Sequence, residues 1–282
     1  MTARLIRLEA EDDFDGWRAA ARSLATAKVP ADQVVWRVGE QPGDLFAAAD
    51  TMPAATSTAE TRLTAPKQFM FLAQSAALNS DPQRFSLLYA LLLRVLEQPL
   101  LLNDRADKLV RRVNDLSHAV GRDIHKMRAF VRFREVADAD GSRFVAWFEP
   151  DHHIVRANAA FFVDRFAAMR WSILTPKGSA HWDGARLLEG PPARRAEAPD
   201  ADPTEAVWKS YYAAIFNPAR LMTKAMLKEM PKKYWRNLPE SALVGDLVAG
   251  ARKREENMLE SALTPPPANR RSGGRRRFQS AD

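Results

Sequence analysis

A chain of 282 residues can hold one large domain or two smaller ones, and 46% hydrophobic with 27% charged residues is the balance of a chain that buries a core. Forty-two Lys and Arg against thirty-five Asp and Glu leave a net charge of +7, which favours anionic partners, nucleic acid first and an anionic membrane surface second. The absence of cysteine excludes disulfides, thiolate nucleophiles, cysteine-ligated zinc and conventional iron–sulfur clusters, so no cofactor is expected and any redox centre would come from a partner. No stretch approaches the roughly 18 apolar residues of a membrane-crossing helix, and the charged start Met1–Ala10 is unlike a secretory signal. The expected location is the cytoplasm, with no membrane partner.

In chain order, Arg4–Leu8 reads as a strand, Asp13–Ala27 as an amphipathic helix and Gln33–Val38 as a second strand, punctuated by Pro30 and Gly39. Residues 41–65 are rich in Ala, Thr, Pro and Asp without a sustained period and read as a long connection. From Pro66 the period becomes helical, with Phe69, Leu72, Ala73 and Ala76 on one face, and Asn79–Pro82 supplies a stop and the next start. Helices follow over Pro82–Glu97 and Asp104–Lys126, the second with Leu109, Val113, Leu116 and Val120 as its apolar stripe and Arg105, Lys108, Arg111 and Arg112 mostly off it.

The period then falls to two. In Arg128–Glu135 the residues Ala129, Val131 and Phe133 make an apolar strand face, and Arg128, Phe130, Arg132 and Arg134 make a basic one. Asp138–Gly141 suits a hairpin, after which Arg143–Glu149 places Phe144, Ala146 and Phe148 opposite Arg143, Val145, Trp147 and Glu149. A helix over His152–Ala168, capped by Asp151, brings Ile154, Phe161, Phe162 and Phe166 to that core, and Arg170–Thr175 returns as a third strand. The expected fold is therefore α+β: an antiparallel or mixed sheet with packed helices over residues 1–190, a linker over 191–203, a helical region over 204–262 and an arginine-rich tail over 263–282.

Two constellations point to nucleic acid. Arg128, Arg132, Arg134 and Arg143 can neutralise phosphates while Phe130 and Trp147 offer flat surfaces for bases. The alternative is that other elements cover this face, making the aromatic residues core and the arginines structural partners. In Asn217–Arg236, Arg220, Lys224, Lys228 and Lys232 recur every fourth residue along one helical face, followed past Pro231 by Lys233, Trp235 and Arg236. A run of this kind is also an ordinary solvated face.

His152, His153, His181 and Asp183 are the candidate catalytic residues and would bind a divalent metal if they converged; capping, turn or core roles are the alternative. Asp151-His152-His153 resembles a phosphoesterase motif, but the additional spaced aspartates are not evident. Thr175–Ser179 is an anion-binding loop or a simple turn.

His125–Glu135, Phe144–His153, Arg170–Pro176 and Ala180–Asp183, together with Trp208–Ile215, Asn217–Arg220 and Lys228–Pro239, carry a family resemblance. Through them the chain resembles a bacterial family associated with DNA metabolism and DNA repair. Related sequences are similar to the N-terminal extension fused to UdgX-type uracil-DNA glycosylases, and relatives stand beside a radical-SAM protein. The resemblance spans about Leu5 to Ala262 and transfers no catalytic residue. No glycosylase half follows Asp282, so glycosylase activity is not expected. What it implies is a DNA-binding accessory module acting on single-stranded or damaged DNA with a radical-SAM or glycosylase-type partner. The alternatives are a metal-assisted hydrolase acting on DNA and a protein–protein adaptor for the radical-SAM protein.

Overall fold

The computed structural model describes residues 4–39, 63–138, 141–199 and 229–238, with Ser241, Leu243 and Gly245. The chain divides into two compact units, Met1–Pro203 and Thr204–Asp282. The first is an α+β unit of helices packed beside a mixed sheet, the class its periodicities imply.

Strand β1 (Arg4–Leu8) buries Ile6 and Leu8 and pairs in parallel with β2 (Val34–Val38), Arg4 opposite Val34. Between them runs α1 (Phe14–Thr26), started by Asp13, whose carboxylate accepts from the Gly16 amide at 2.8 Å. Its inner face of Trp17, Ala20, Ala21 and Leu24 meets α2 (Lys67–Ala77) and α3 (Arg84–Glu97) in one core with Phe69, Phe85, Leu88 and Tyr89. Two polar atoms carried into this core are satisfied by backbone, Trp17 Nε1 donating to Phe85 O at 3.2 Å and the Tyr89 hydroxyl to Val29 O at 2.7 Å, whereas the buried Trp36 Nε1 has no hydrogen-bond partner among the described residues. Burial pushes the Tyr89 hydroxyl pKa up to about 12.

The long helix α4 (Lys108–Phe130) closes this layer with Val110, Val113, Leu116 and Val120. Asp107 caps it through the Leu109 and Val110 amides and forms a forked pair with Arg94 of α3, at 3.1 and 2.7 Å. The Arg94 guanidinium and those amides hold the Asp107 carboxyl down at about 2.

Here the structure departs from the expected strand over Arg128–Glu135. The helix continues to Phe130, because Val120, Met127 and Val131 extend the buried helical stripe across the region where alternation suggests a strand. Only Arg134–Asp138 is extended, as β3. It pairs antiparallel with β4 (Gly141–Trp147) across the expected hairpin, Asp138 opposite Gly141.

Helix α5 (Val155–Arg165) crosses back so that β5 (Trp171–Thr175) lies parallel to β4. Two further strands, β6 (Gly178–Trp182) and β7 (Leu187–Gly190), complete the sheet in the order β3-β4-β5-β6-β7. Phe162 of α5 stands on Trp171 with ring centroids 6.2 Å apart, flanked by Phe133 and Phe166. The opposite face is covered too: residues expected as a linker pack there, with Ala193 and Ala198 against Trp147 and Leu174.

The helical layer is joined to its loops by Arg84, a residue only 3% exposed. Its Nε donates to Ala77 O at 2.9 Å, Nη1 to Asp81 O at 3.1 Å, and Nη2 to both Glu11 O at 2.7 Å and Glu11 Oε2 at 2.5 Å. Removing a buried charge's partner orphans several groups at once and costs about 3–5 kcal/mol. Arg84→Met keeps the volume and deletes the donors, so chemical denaturation should show a loss of about 3 kcal/mol. A change below about 1 kcal/mol would show the network to be dispensable.

Candidate functional site

The basic and aromatic residues expected on one strand face do not share one. Arg128 and Phe130 lie in the last turn of α4, Arg132 in the link to β3, and Arg134 at the start of that strand. Arg128 bridges two helices: its Nε donates to Asn158 Oδ1 at 2.6 Å and its guanidinium lies 4.5 Å over the Phe161 ring. Arg132 Nη1 donates to Ala129 O and Val131 O, finishing the helix end, and Phe130 is half-buried. Arg134 Nη1 donates to Pro199 O at 2.6 Å. Trp147 is 9% exposed beneath Ala193 and Ala198, with Nε1 bonded to Glu149 at 2.9 Å, so it presents no open stacking surface. Of the six, Arg143 is exposed on β4 and Arg128 at the end of α4.

Of the second patch, Arg220, Lys224 and Lys228 lie outside the described residues, as does the tail over 263–282. After Pro231 a single 3-10 helix, Lys232–Asn237, presents Lys232 and Lys233 to solvent and includes Arg236. The Lys233 ammonium lies 4.7 Å over the Tyr234 ring, and half-buried Trp235 donates to Met230 O at 3.0 Å.

The histidines do not converge. His152 Nδ1 accepts from the Ser80 amide at 3.2 Å, and its own amide donates to buried Asp123 at 2.9 Å. His181 belongs to the sheet face away from α5, its Nδ1 2.9 Å from Ser172 Oγ, while its neighbour Trp182 donates to Ala167 O just beyond α5. Burial first and Arg143 second hold the His181 pKa down. Gly190, opposite Ser179 in β7, leaves room for that ring, since a Cβ there would stand 2.8 Å from His181 Nε2. Asp183 accepts from the Ala185 and Arg186 amides, both at 2.7 Å, which lowers its pKa and fixes it as a turn former. Among the described residues no group of three or more His, Asp or Glu could hold a metal ion. Thr175–Ser179 is a tight hairpin, with Thr175 Oγ1 donating to Gly178 O at 2.7 Å and Gly178 at φ +134°.

Two other features emerge. The outer face of α4 carries Lys108, Arg111, His118, Arg122 and His125 at helical spacing with Lys126 beside them, all exposed or half-exposed. Asp115 is the one acid among them, and Arg112 pairs with Asp81. Among the described residues none stands within ion-pair distance of Lys108, Arg111, Arg122 or Lys126. From Lys108 to Lys126 the stripe is about 27 Å long at 1.5 Å per residue. The expected helix over Asp104–Lys126 already spans this stripe; continuing the three-and-four spacing of its cations past Arg111 to Lys126 reveals it in the sequence.

The second feature is a cleft of about 400 Å³ between the β1–α1 connection, α5 and the β5–β6 hairpin, lined by Glu11, Asp12, His153, Arg156, Lys177 and Glu189. Arg156 bonds Glu189 through Nη2 at 2.8 Å and approaches Asp12 at 3.6 Å. Burial raises the Asp12 pKa against the lowering effect of Arg156. His153, with a side chain 15% exposed, lies 3.8 Å from Glu11 Oε2. Burial, then Lys177, lower its pKa to about 4, so the imidazole is neutral near pH 7.

A family described as a domain of unknown function, DUF4130, matches residues 82–240, more than half of the chain. The chain belongs to this family. The DUF4130 match contains α3, the basic face of α4, the whole five-stranded sheet and the His153 side of the cleft, whereas Glu11 and Asp12 precede it. No curated protein and no solved structure matches the chain.

The cleft has a measurable pH signature. His153 binds its proton less readily folded than unfolded, so its neutral form costs nothing above pH 6.5 and stability falls as pH drops from about 6.5 to about 4. The loss attributable to it approaches about 3 kcal/mol at the acid end, at 1.36 kcal/mol per pH interval. Urea unfolding of wild type and His153→Asn across that range should show a shallower acid decline in the variant; parallel curves would place the acid sensitivity elsewhere.

Proposed function

We propose that this protein is a DNA-binding accessory module of DNA repair or DNA metabolism, acting beside a partner enzyme of radical-SAM or uracil-DNA glycosylase type. The observation that supports this reading best is the basic face of α4. It is a rigid helical surface with four cations free of ion pairs among the described residues, where a polyanion gains contacts without breaking internal ones. The net charge of +7 adds a favourable long-range field. The resemblance to DNA-repair-associated sequences supplies the setting and the class of partner.

The face has no Phe, Tyr or Trp among its exposed positions, so phosphate contact is the interaction it favours over base stacking. Binding of this kind orients DNA for another enzyme without reading its sequence. The scattered histidines give the metal-assisted hydrolase no comparable support.

Four phosphate contacts on duplex DNA correspond to a slope of about −3.6 in log K against log salt. Fluorescence anisotropy with a labelled duplex should return a slope near that value, and Arg111→Glu with Arg122→Glu should weaken binding at least about tenfold and flatten the slope. Salt-insensitive binding, or a double variant equal to wild type, would remove α4 from the interface. If the purified chain binds no duplex yet co-purifies with its partner after nuclease treatment, the adaptor reading replaces this one.

A further inference from the structure

The cleft beneath the β5–β6 hairpin holds three polar side chains whose bonding capacity the fold leaves unused. Glu11 is taken by Arg84 at 2.5 Å and Glu189 by Arg156 at 2.8 Å. The Asp12 carboxylate is left with Arg156 at 3.6 Å, beyond hydrogen-bond reach, and bonds its own amide but accepts no hydrogen bond from another described residue. The Lys177 ammonium has no ion-pair partner among the described residues, although it stands close enough to His153 to disfavour that ring's protonation. The His153 ring makes no hydrogen bond to a described residue either: its Nε2 lies 3.8 Å from Glu11, while its backbone amide donates to Leu78 O at 2.8 Å.

These groups differ in kind. Asp12 offers a carboxylate acceptor, Lys177 a cationic donor, and a neutral imidazole one donor and one acceptor. Between them lies an apolar lining of Val155, Ala159, Ala180 and Pro176 in a space of about 400 Å³. A small planar molecule with a donor and an acceptor on its edge fills such a site, the rim bonding its edge and the apolar lining meeting its face. Phosphate alone fits poorly, because Glu11, Asp12 and Glu189 repel it. A zwitterionic amino acid meets the charges but leaves the apolar lining without a partner.

We infer that this cleft is a nucleobase site for a base bearing both an exocyclic amine and a ring carbonyl, guanine or cytosine, with Asp12 accepting from the amine, Lys177 donating to the carbonyl and His153 bonding the ring edge. Adenine lacks the carbonyl and thymine the amine. The inference rests on the DNA-binding reading for the source of the base and not for the chemistry of the cleft. A base unstacked from DNA held along α4 is the natural occupant, and a free nucleoside suffices as a probe.

The full chain is titrated with guanosine, cytidine, adenosine and thymidine by calorimetry, while the ring-nitrogen resonances of His153 are followed by NMR. Guanosine or cytidine should bind at least about tenfold more tightly than adenosine and thymidine and shift the His153 ring signals. Asp12→Asn and Lys177→Met should each weaken that binding about tenfold or more, while salt changes it little. Lys177 lies at the hairpin tip, so its variant remains informative if Asp12→Asn fails to fold. Equal affinity for all four nucleosides, no binding at all, or binding unaffected by either variant would overturn the inference.

The Arg111→Glu and Arg122→Glu double variant separates the two readings. It should lose duplex affinity and keep nucleoside binding. Nucleoside binding by a wild-type chain that ignores DNA leaves the cleft standing and removes the DNA-binding reading; DNA binding without nucleoside selectivity does the reverse.

Discussion

The buried guanidinium of Arg84 is the constraint on which the organisation of the α+β unit depends. Three segments meet near it, the β1–α1 connection, the end of α2 and the turn before α3, and each offers it a carbonyl: Glu11 O, Ala77 O and Asp81 O. One side chain with five N–H groups in a plane satisfies them together, which lysine could not do. The Glu11 carboxylate completes the neutralisation. Because Glu11 is held there, it cannot pair closely with His153, and burial together with the neighbouring cations then keeps that imidazole neutral. A structural network thus fixes the protonation of a group in the cleft without touching that group.

Much of the architecture is legible in the residues. The first strands and helices follow from apolar periodicity, an Asp cap before α1, and proline and glycine punctuation, and the β3–β4 hairpin from Asp138–Gly141 between alternating runs. The failure at Arg128–Phe130 has a specific cause. Met127 and Val131 satisfy a helical period and Ala129, Val131 and Phe133 a strand period, so the local pattern is degenerate. Tertiary burial of Met127 resolves it in favour of the helix. Strands β6 and β7 are short, contain glycine, serine and exposed leucines, and carry little propensity; they exist because they pair with β5 and with each other.

The site was less legible for the same reason. A candidate face built on alternation from Arg128 disappears once those residues are helical, and the arginines become bridges between elements. The basic stripe on α4 lies wholly within the helix expected over Asp104–Lys126 and needs only its cations followed past Arg111 along that helix. The cleft joins residues about 140 positions apart, Asp12 and His153, and Asp12 reads locally as an ordinary turn residue beside the Asp13 cap. No spacing rule connects them; only the packing of the β1–α1 connection near α5 does.

The sheet has one further consequence, for the order in which it assembles. Four neighbouring pairings join its five strands; three are antiparallel between chain neighbours and can close locally as short loops. The fourth, β4 with β5, is parallel and waits for the whole α5 crossover, because its strand ends are bridged only when that helix lies down. Loop-closure entropy therefore favours early pairing of the β3–β4 hairpin and the β5–β6–β7 meander over the β4–β5 junction between them. The Phe162–Trp171 contact packs α5 beneath that junction.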